Sequence, residues 1–287
     1  MEPVWTTIEE ARRWASLFLT KHDREPRVAD LLLEHVLGLS FAQLLAAERE
    51  EFPEEHRAKF VEDLYAHAET GVPVQHLIGQ AHFYGREFLV HPHVLIPRPE
   101  TEELVVGVLD FLKEKGMTNP VVADVGTGSG IIAITLACEH PSSRIVATDL
   151  SDKALAAAAE NARLYEAEID FYQGNFLEPL QGKHLDCIVS NPPYIARSEA
   201  AIMDDTVLNF DPELALFAEE EGLAAYREMV EQIKTFQLFP RLIAFEIGHL
   251  QGEAVKQILS RQLPEYRVAI KKDINQKDRM IFAVKDS

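Results

Sequence analysis

Val121-Val122-Ala123-Asp124-Val125-Gly126-Thr127-Gly128-Ser129-Gly130 reads as a buried strand running straight into a glycine turn. Glycine permits positive φ and lets a ligand approach the backbone closely, so the turn is a candidate cradle. Ile131 to Cys138 continues as an apolar helix, and Arg144-Ile145-Val146-Ala147-Thr148 is a second strand that ends at Asp149. Strand, turn, helix and strand in that order predict an α/β fold with a parallel sheet. The acid falls about twenty residues after the glycine loop, where a βαβ unit places a carboxylate on ribose hydroxyls. A nucleoside ligand is expected.

Further along, the apolar run Leu185-Asp186-Cys187-Ile188-Val189 leads into Asn191-Pro192-Pro193-Tyr194. Consecutive prolines cannot extend a central strand, and their carbonyls are left without sheet partners. Asn191 adds a side-chain acceptor and Tyr194 a flat ring, a rim suited to a planar –NH2. A Gly-x-Gly-x-Gly loop followed by an acid suits a dinucleotide or S-adenosylmethionine. The dinucleotide fingerprint needs a third glycine three residues after the second, and Ile131 stands there. Asn-Pro-Pro-Tyr decides for S-adenosylmethionine, because a methyl donor needs an acceptor –NH2 held in line.

Strands at Asp170 to Gln173, Asp186 to Ser190, Leu242 to Ile247, Tyr266 to Ile270 and Met280 to Val284 bring the sheet to seven, mostly parallel, the last two as antiparallel edges. Helices from Ser151 to about Tyr165 and from Gly222 to about Phe236 lie between. Glu219-Glu220-Glu221 reads as a solvated run. Residues 1–72 read as a helical bundle, with a capping box at Thr7 and Glu10, Pro26 in a first turn, Gly38 as a stop, Ser40 as a cap and Gly71 as another stop. Residues 73–97 read as a β-hairpin linker built from runs such as Glu87 to Val90 and His93 to Ile96, and residues 98–287 as the catalytic domain. Glu100, Glu102 and Glu103 open a helix whose dipole favours them.

The 287 residues are 47% hydrophobic, and no terminal stretch is apolar for long enough to span a bilayer. A cytosolic protein away from membranes is expected. A net charge of -19 argues against a broad grip on nucleic acid. Cys138 and Cys187 lie in apolar runs and read as reduced thiols. His76, His82, His91 and His93 crowd the linker without cysteines or many carboxylates, so no metal site is expected.

Pro73 to Gly79, Phe83-Tyr84-Gly85, Val94-Leu95-Ile96-Pro97-Arg98-Pro99-Glu100-Thr101-Glu102, Asp124 to Gly130 and Asn191 to Tyr194 together resemble the PrmC/HemK type of protein-glutamine N5-methyltransferase. Glu246-Ile247-Gly248 with Gln251, and Asp278-Arg279, match as well. The resemblance implies a Rossmann-like methyltransferase fold that methylates the glutamine side chain of the Gly-Gly-Gln loop of peptide chain release factors, acting as a single chain. It implies that Gly126, Thr127, Gly128, Ser129 and Gly130 hold the methionine part of S-adenosylmethionine. Asp149 then binds its ribose and Phe176 packs on the adenine. Asn191, Pro192, Pro193 and Tyr194 are the implied catalytic and substrate-binding residues. Many relatives have an acid where Asn175 stands, which leaves the adenine contact open, and no role is implied for Arg98. A sister family acting on a ribosomal protein is similar but typically lacks the Arg-Pro-Glu-Thr-Glu wording. An adenine-N6 methyltransferase of DNA or RNA is the alternative from the residues themselves, since a flipped base offers the same –NH2.

Overall fold

A computed structural model of the chain describes residues 5–198 and 209–285. The chain divides into two compact units, the first covering the stretch to Gly79 and the second most of the chain from Gln80 onward.

In the first unit the apolar positions of four helices meet around one core: α1 (Ile8–Lys21), α2 (Val28–Leu37), α3 (Phe41–Ala46) and α4 (Glu54–Thr70). Their ends follow from single residues. Thr7 and Glu10 make a reciprocal capping box, as do Ser40 and Gln43, and Gly38 and Gly71 end their helices in the left-handed conformation. A short helix, α5 (Val74–Ile78), follows.

The second unit begins with a hairpin, β1 (Gln80–Phe83) and β2 (Arg86–Leu89). The expected hairpin ran from Glu87–Val90 to His93–Ile96; the observed one is earlier. Tyr84 and Gly85 both take positive φ, 51° and 71°, the two-residue turn whose twist matches paired strands. Pro92 and Pro97 flank 93–96, which forms no strand and instead lines a cavity described below.

Seven strands form the main sheet in the order β10-β11-β9-β6-β3-β4-β5. They are β3 (Val121–Val125), β4 (Arg144–Asp149), β5 (Ile169–Gln173), β6 (Cys187–Ser190), β9 (Leu242–Glu246), β10 (Tyr266–Lys272) and β11 (Asp278–Lys285), while the short β7 (Ile195–Ala196) and β8 (Phe217–Ala218) pair with each other outside it. The pairings from β5 through to β9 are parallel, and β11 runs antiparallel to both β9 and β10. The expectation that both last strands are edges is corrected, because β11 lies between β9 and β10. Alternate residues of the central strands feed two separate cores. Val122, Cys187, Val189, Leu242 and Ala244 face one way, and Ala123, Val125, Ile188, Ile243 and Phe245 the other. Helices α6 (Pro99–Glu114) and α7 (Ile131–Glu139) supply the first core with Leu104, Val108 and Ile132. Helix α8 (Asp152–Leu164) follows β4.

From β3 the chain crosses to β4 and β5 on one side and later to β6 and β9 on the other, so the order reverses between β3 and β6. Crevices outside the carboxyl ends of strands at such a switch point are where α/β sheets bind ligands. Ser190 Oγ donates to the Val125 carbonyl at 2.6 Å and stitches the two strand ends together. Among the described residues, no helix is long and apolar enough to cross a membrane.

Candidate functional site

A cavity of about 350 Å³ opens at that switch point. Its wall is formed by Gly126, Thr127, Gly128 and Ser129 after β3, by Asp149 at the end of β4, by Asn175 and Phe176 after β5, and by Asn191 and Pro193 after β6. The structure thus brings residues from four strand ends to one space. Gly130, Pro192 and Tyr194 do not line it.

The glycine loop is held from behind. The N–H groups of Gly126 and Thr127 both donate to the Thr148 carbonyl, at 2.8 and 2.9 Å. Gly126 and Gly128 have positive φ, and a Cβ on either would meet nothing within 4 Å, so the loop leaves its cavity side open. Gly130 has a different role: a Cβ there would stand 3.0 Å from Ala158 and from Ile134, so its missing side chain lets the loop pack on α8. Asn161 of α8 donates to the Ser129 carbonyl at 3.0 Å while exchanging hydrogen bonds with Leu89, which ties the loop to the end of β2.

Asp149 joins both sides of this cradle by accepting from Gly128 N and Ser151 N, each at 2.9 Å. It does not cap the next helix; Ser151 does, through Ala154 N at 3.2 Å. Burial raises the Asp149 carboxyl above the usual range, and backbone N–H groups of Ser151, Gly128 and Leu150 oppose that. Phe176 packs beside the second core and holds φ of 49°, a conformation costly to a non-glycine residue and characteristic of ligand sites.

From the sequence, Asp124 has a place in a strand and in the family wording that it opens, but no role. Its Oδ2 accepts from Thr127 Oγ1 at 2.6 Å and from Ala133 N in the first turn of α7 at 3.1 Å, and its Oδ1 is buried without a hydrogen-bond partner among the described residues. Burial pushes this acid up to about 7. An open glycine cradle, a strand-end carboxylate, a ring at the rim and a buried acid beneath the loop fit a nucleoside joined to an amino-acid part.

On the other wall, Asn191 Nδ2 donates to Thr101 Oγ1 at 3.1 Å, and Thr101 Oγ1 donates to Glu246 Oε2 at 2.6 Å. Sheet register explains the meeting. Val189 pairs with Ala244, so Asn191 and Glu246, two residues further on, continue the same face of neighbouring strands. Thr101 descends on them from the first turn of α6. Burial pushes Glu246 up to about 7. Tyr194 sits behind this wall: Gln251 Nε2 donates to its carbonyl at 2.7 Å, and burial pushes its phenol up to about 12.

The Arg-Pro-Glu-Thr-Glu stretch does more than suit a helix dipole. Arg98 donates to the buried Asp211 at 2.7 Å, Glu102 accepts from Tyr84 N in the hairpin turn at 2.8 Å, and Glu103 accepts from Ile274 N at 3.0 Å. Glu219-Glu220-Glu221 is exposed as expected, yet Glu220 and Glu221 hold positive φ of 54° and 58°, and the Glu221 carbonyl accepts from Gln251 at 3.3 Å. The only sequence signals for Thr101 and Glu246 were the family wordings around them, which carry no role. Among the described residues no three His, Cys, Asp or Glu side chains gather as metal ligands, and the two cysteines are free thiols.

Comparison with known proteins accords with this geometry. The PrmC N-terminal domain model matches residues 10–79 and the Methyltransferase small domain model residues 107–210. A release factor glutamine methyltransferase of Bacillus subtilis is 44% identical over 97% of this chain and 98% of its own length, and one of Bacillus cereus is 42% identical over 96% and 98%. Among solved structures, the N-terminal domain of human METTL16 in complex with SAH superposes with a TM-score of 0.54 at 14% identity, covering 84% of this chain and 86% of that one, which is a likeness of fold. On identity and coverage, this chain belongs to the release factor glutamine methyltransferase family.

Proposed function

We propose that this protein transfers a methyl group from S-adenosylmethionine to the side-chain amide nitrogen of the glutamine in the Gly-Gly-Gln loop of peptide chain release factors. The observation that carries the reading is that Asn191 and the glycine loop open into one cavity. Gly126, Thr127, Gly128, Ser129, Asp149 and Phe176 are the residues that would hold the cofactor, with Gly130 packing the loop on α8 and Asp124 beneath them. S-adenosylmethionine supplies an electrophilic methyl group on a sulfonium.

The chain's own residues have a positioning task. An amide nitrogen is a weak nucleophile because its lone pair is delocalised into the carbonyl. Asn191 Oδ1 and the Pro192 carbonyl accept the two N–H bonds of the substrate amide, which raises electron density on nitrogen and fixes its orientation. Pro193 lines the cavity as a rigid wall, and Tyr194 supports it from behind. No general base need act first, because a methylated amide nitrogen carrying positive charge sheds its proton readily.

The same reading assigns the first unit to substrate recognition, a release factor as the protein partner, and the cytoplasm as the setting, with a single copy of the chain sufficient. The net charge of -19 supports a protein partner over nucleic acid. The test is transfer of labelled methyl groups to a purified release factor, to the same factor with its loop glutamine replaced, and to DNA and tRNA. Label on the intact factor alone is expected; label on nucleic acid alone overturns the reading.

A further inference from the structure

We infer that Glu246, acting through the Thr101 hydroxyl, locks the side-chain amide of Asn191 with its nitrogen turned inward and its oxygen toward the cavity, which makes Thr101 and Glu246 positioning residues for the acceptor amide. The inference rests on the function proposed above and assigns the part played by Arg98-Pro99-Glu100-Thr101-Glu102.

Proton counting carries the argument. A threonine hydroxyl has one proton and can otherwise only accept. Thr101 Oγ1 stands 2.6 Å from Glu246 Oε2, and Thr101 and Glu246 are both about 1% exposed. Once Glu246 is ionised, as pH rises through about 7, its carboxylate only accepts, and the hydroxyl proton points at it. The group of Asn191 lying 3.1 Å from the same hydroxyl oxygen must therefore be its –NH2. An asparagine amide has nearly the same shape either way round, and here the hydrogen-bond pattern removes that freedom. The polarity matters chemically. With oxygen outward, Asn191 accepts from an incoming –NH2; turned over, it would aim its own donors at that group and repel it.

The lock holds while Glu246 is ionised. A proton on Oε2 would let the carboxyl donate to Thr101, whose own proton could then turn to Asn191 and draw the amide oxygen inward. The charged and titratable groups around Glu246 come from every side: Arg98 and Glu100 at the start of α6, Arg279 on β11, and the neutral phenols of Tyr194 after β6 and Tyr226 in the helix Ala224–Thr235. The two arginines favour the ionised form, and Glu100 and burial oppose it. Tyr226 Oη donates to the Glu246 backbone carbonyl at 2.8 Å, not to the carboxylate.

The test uses the full chain with S-adenosylmethionine and release factor. Thr101→Val keeps the shape and removes the hydroxyl; kcat should fall roughly 10- to 100-fold, while cofactor Kd by calorimetry stays within about twofold. Thr101→Ser should recover most of that loss. The acid limb of the wild-type kcat profile should vanish in Glu246→Gln, a change that packing alone would not produce. An isotope-edited NOE spectrum should show the Asn191 –NH2 close to the methyl at position 101 in the wild type and further away in Thr101→Val. Wild-type kcat in Thr101→Val, no recovery in Thr101→Ser, or an unchanged acid limb in Glu246→Gln overturns the inference. So does absence of the NOE in the folded wild type, whatever its activity. With the NOE present and no methyl transfer by the wild type to any release factor, the proposed function falls while the amide orientation stands.

Discussion

Two threonine–carboxylate pairs lie under the two walls of the cavity, and they differ in what they hold. Thr127 donates to Asp124 and Thr101 to Glu246, each at 2.6 Å, and burial pushes both acids up to about 7. Asp124 lies three residues from its threonine and also accepts from the backbone of Ala133, so it fixes main chain: the glycine loop to the start of α7. Glu246 lies 145 residues from its threonine and passes its effect to a side chain, Asn191. The same chemical pair builds a rigid backbone cradle in one place and orients a single amide in the other. A backbone cradle shapes affinity for what it holds, whereas an oriented amide acts on the reacting group.

Separating those two effects is the sharpest use of variants. Asn191→Ala should lower kcat on the order of a hundredfold, as expected for loss of one preorganised polar contact, and leave cofactor affinity nearly unchanged. A mutant that lost cofactor binding but turned over normally at saturation would break the comparison. Asp149→Ala should do the reverse. Removing a charged acceptor should weaken cofactor Kd roughly tenfold to a hundredfold, with kcat at saturating cofactor largely kept, as checked by titration calorimetry and single-turnover rates.

Both acids share a pH signature. Their folded values lie above the ordinary ones, 4.5 for Glu246, so between that value and about 7 the folded chain keeps a proton that the unfolded chain has lost. Stability present at lower pH is therefore lost as pH rises through that window. Thermal melts should show Glu246→Gln gaining on the wild type by about 2 kcal/mol between about pH 5 and about pH 8, and Asp124→Asn behaving alike. A gain as pH falls would contradict the assigned burial. As a control outside both walls, Thr7→Ala removes a capping box in the first unit and should cost about 1 kcal/mol in a denaturant melt without moving kcat or cofactor Kd.

Legibility in the sequence follows the same division. The strand, glycine turn and helix from Val121, and Asp149 beyond them, declare themselves because each depends on residues close by in the chain. The helix caps at Thr7, Ser40, Gly38 and Gly71 are local in the same sense. Asn191 was found because prolines interrupt a strand. Thr101 and Glu246 were missed as functional groups because their meaning arises only when β6 and β9 pair in register and α6 crosses above them. The expected hairpin lies elsewhere for a related reason: the apolar run of 93–96 looks like a strand, while the flanking prolines and the left-handed pair Tyr84-Gly85 decide otherwise. Gly222 shows the limit most plainly, since a Cβ there would stand 2.1 Å from the Tyr194 carbonyl oxygen, a contact no local pattern announces.

Tandem mass spectrometry of a release factor after incubation with this protein and S-adenosylmethionine locates the transferred methyl group to the atom. One added methyl is expected, located on the side-chain nitrogen of the Gly-Gly-Gln glutamine and formed about a hundredfold more slowly when Asn191 is replaced by alanine under single-turnover conditions. A methyl on a carboxylate, a backbone nitrogen or another residue of the factor would contradict it.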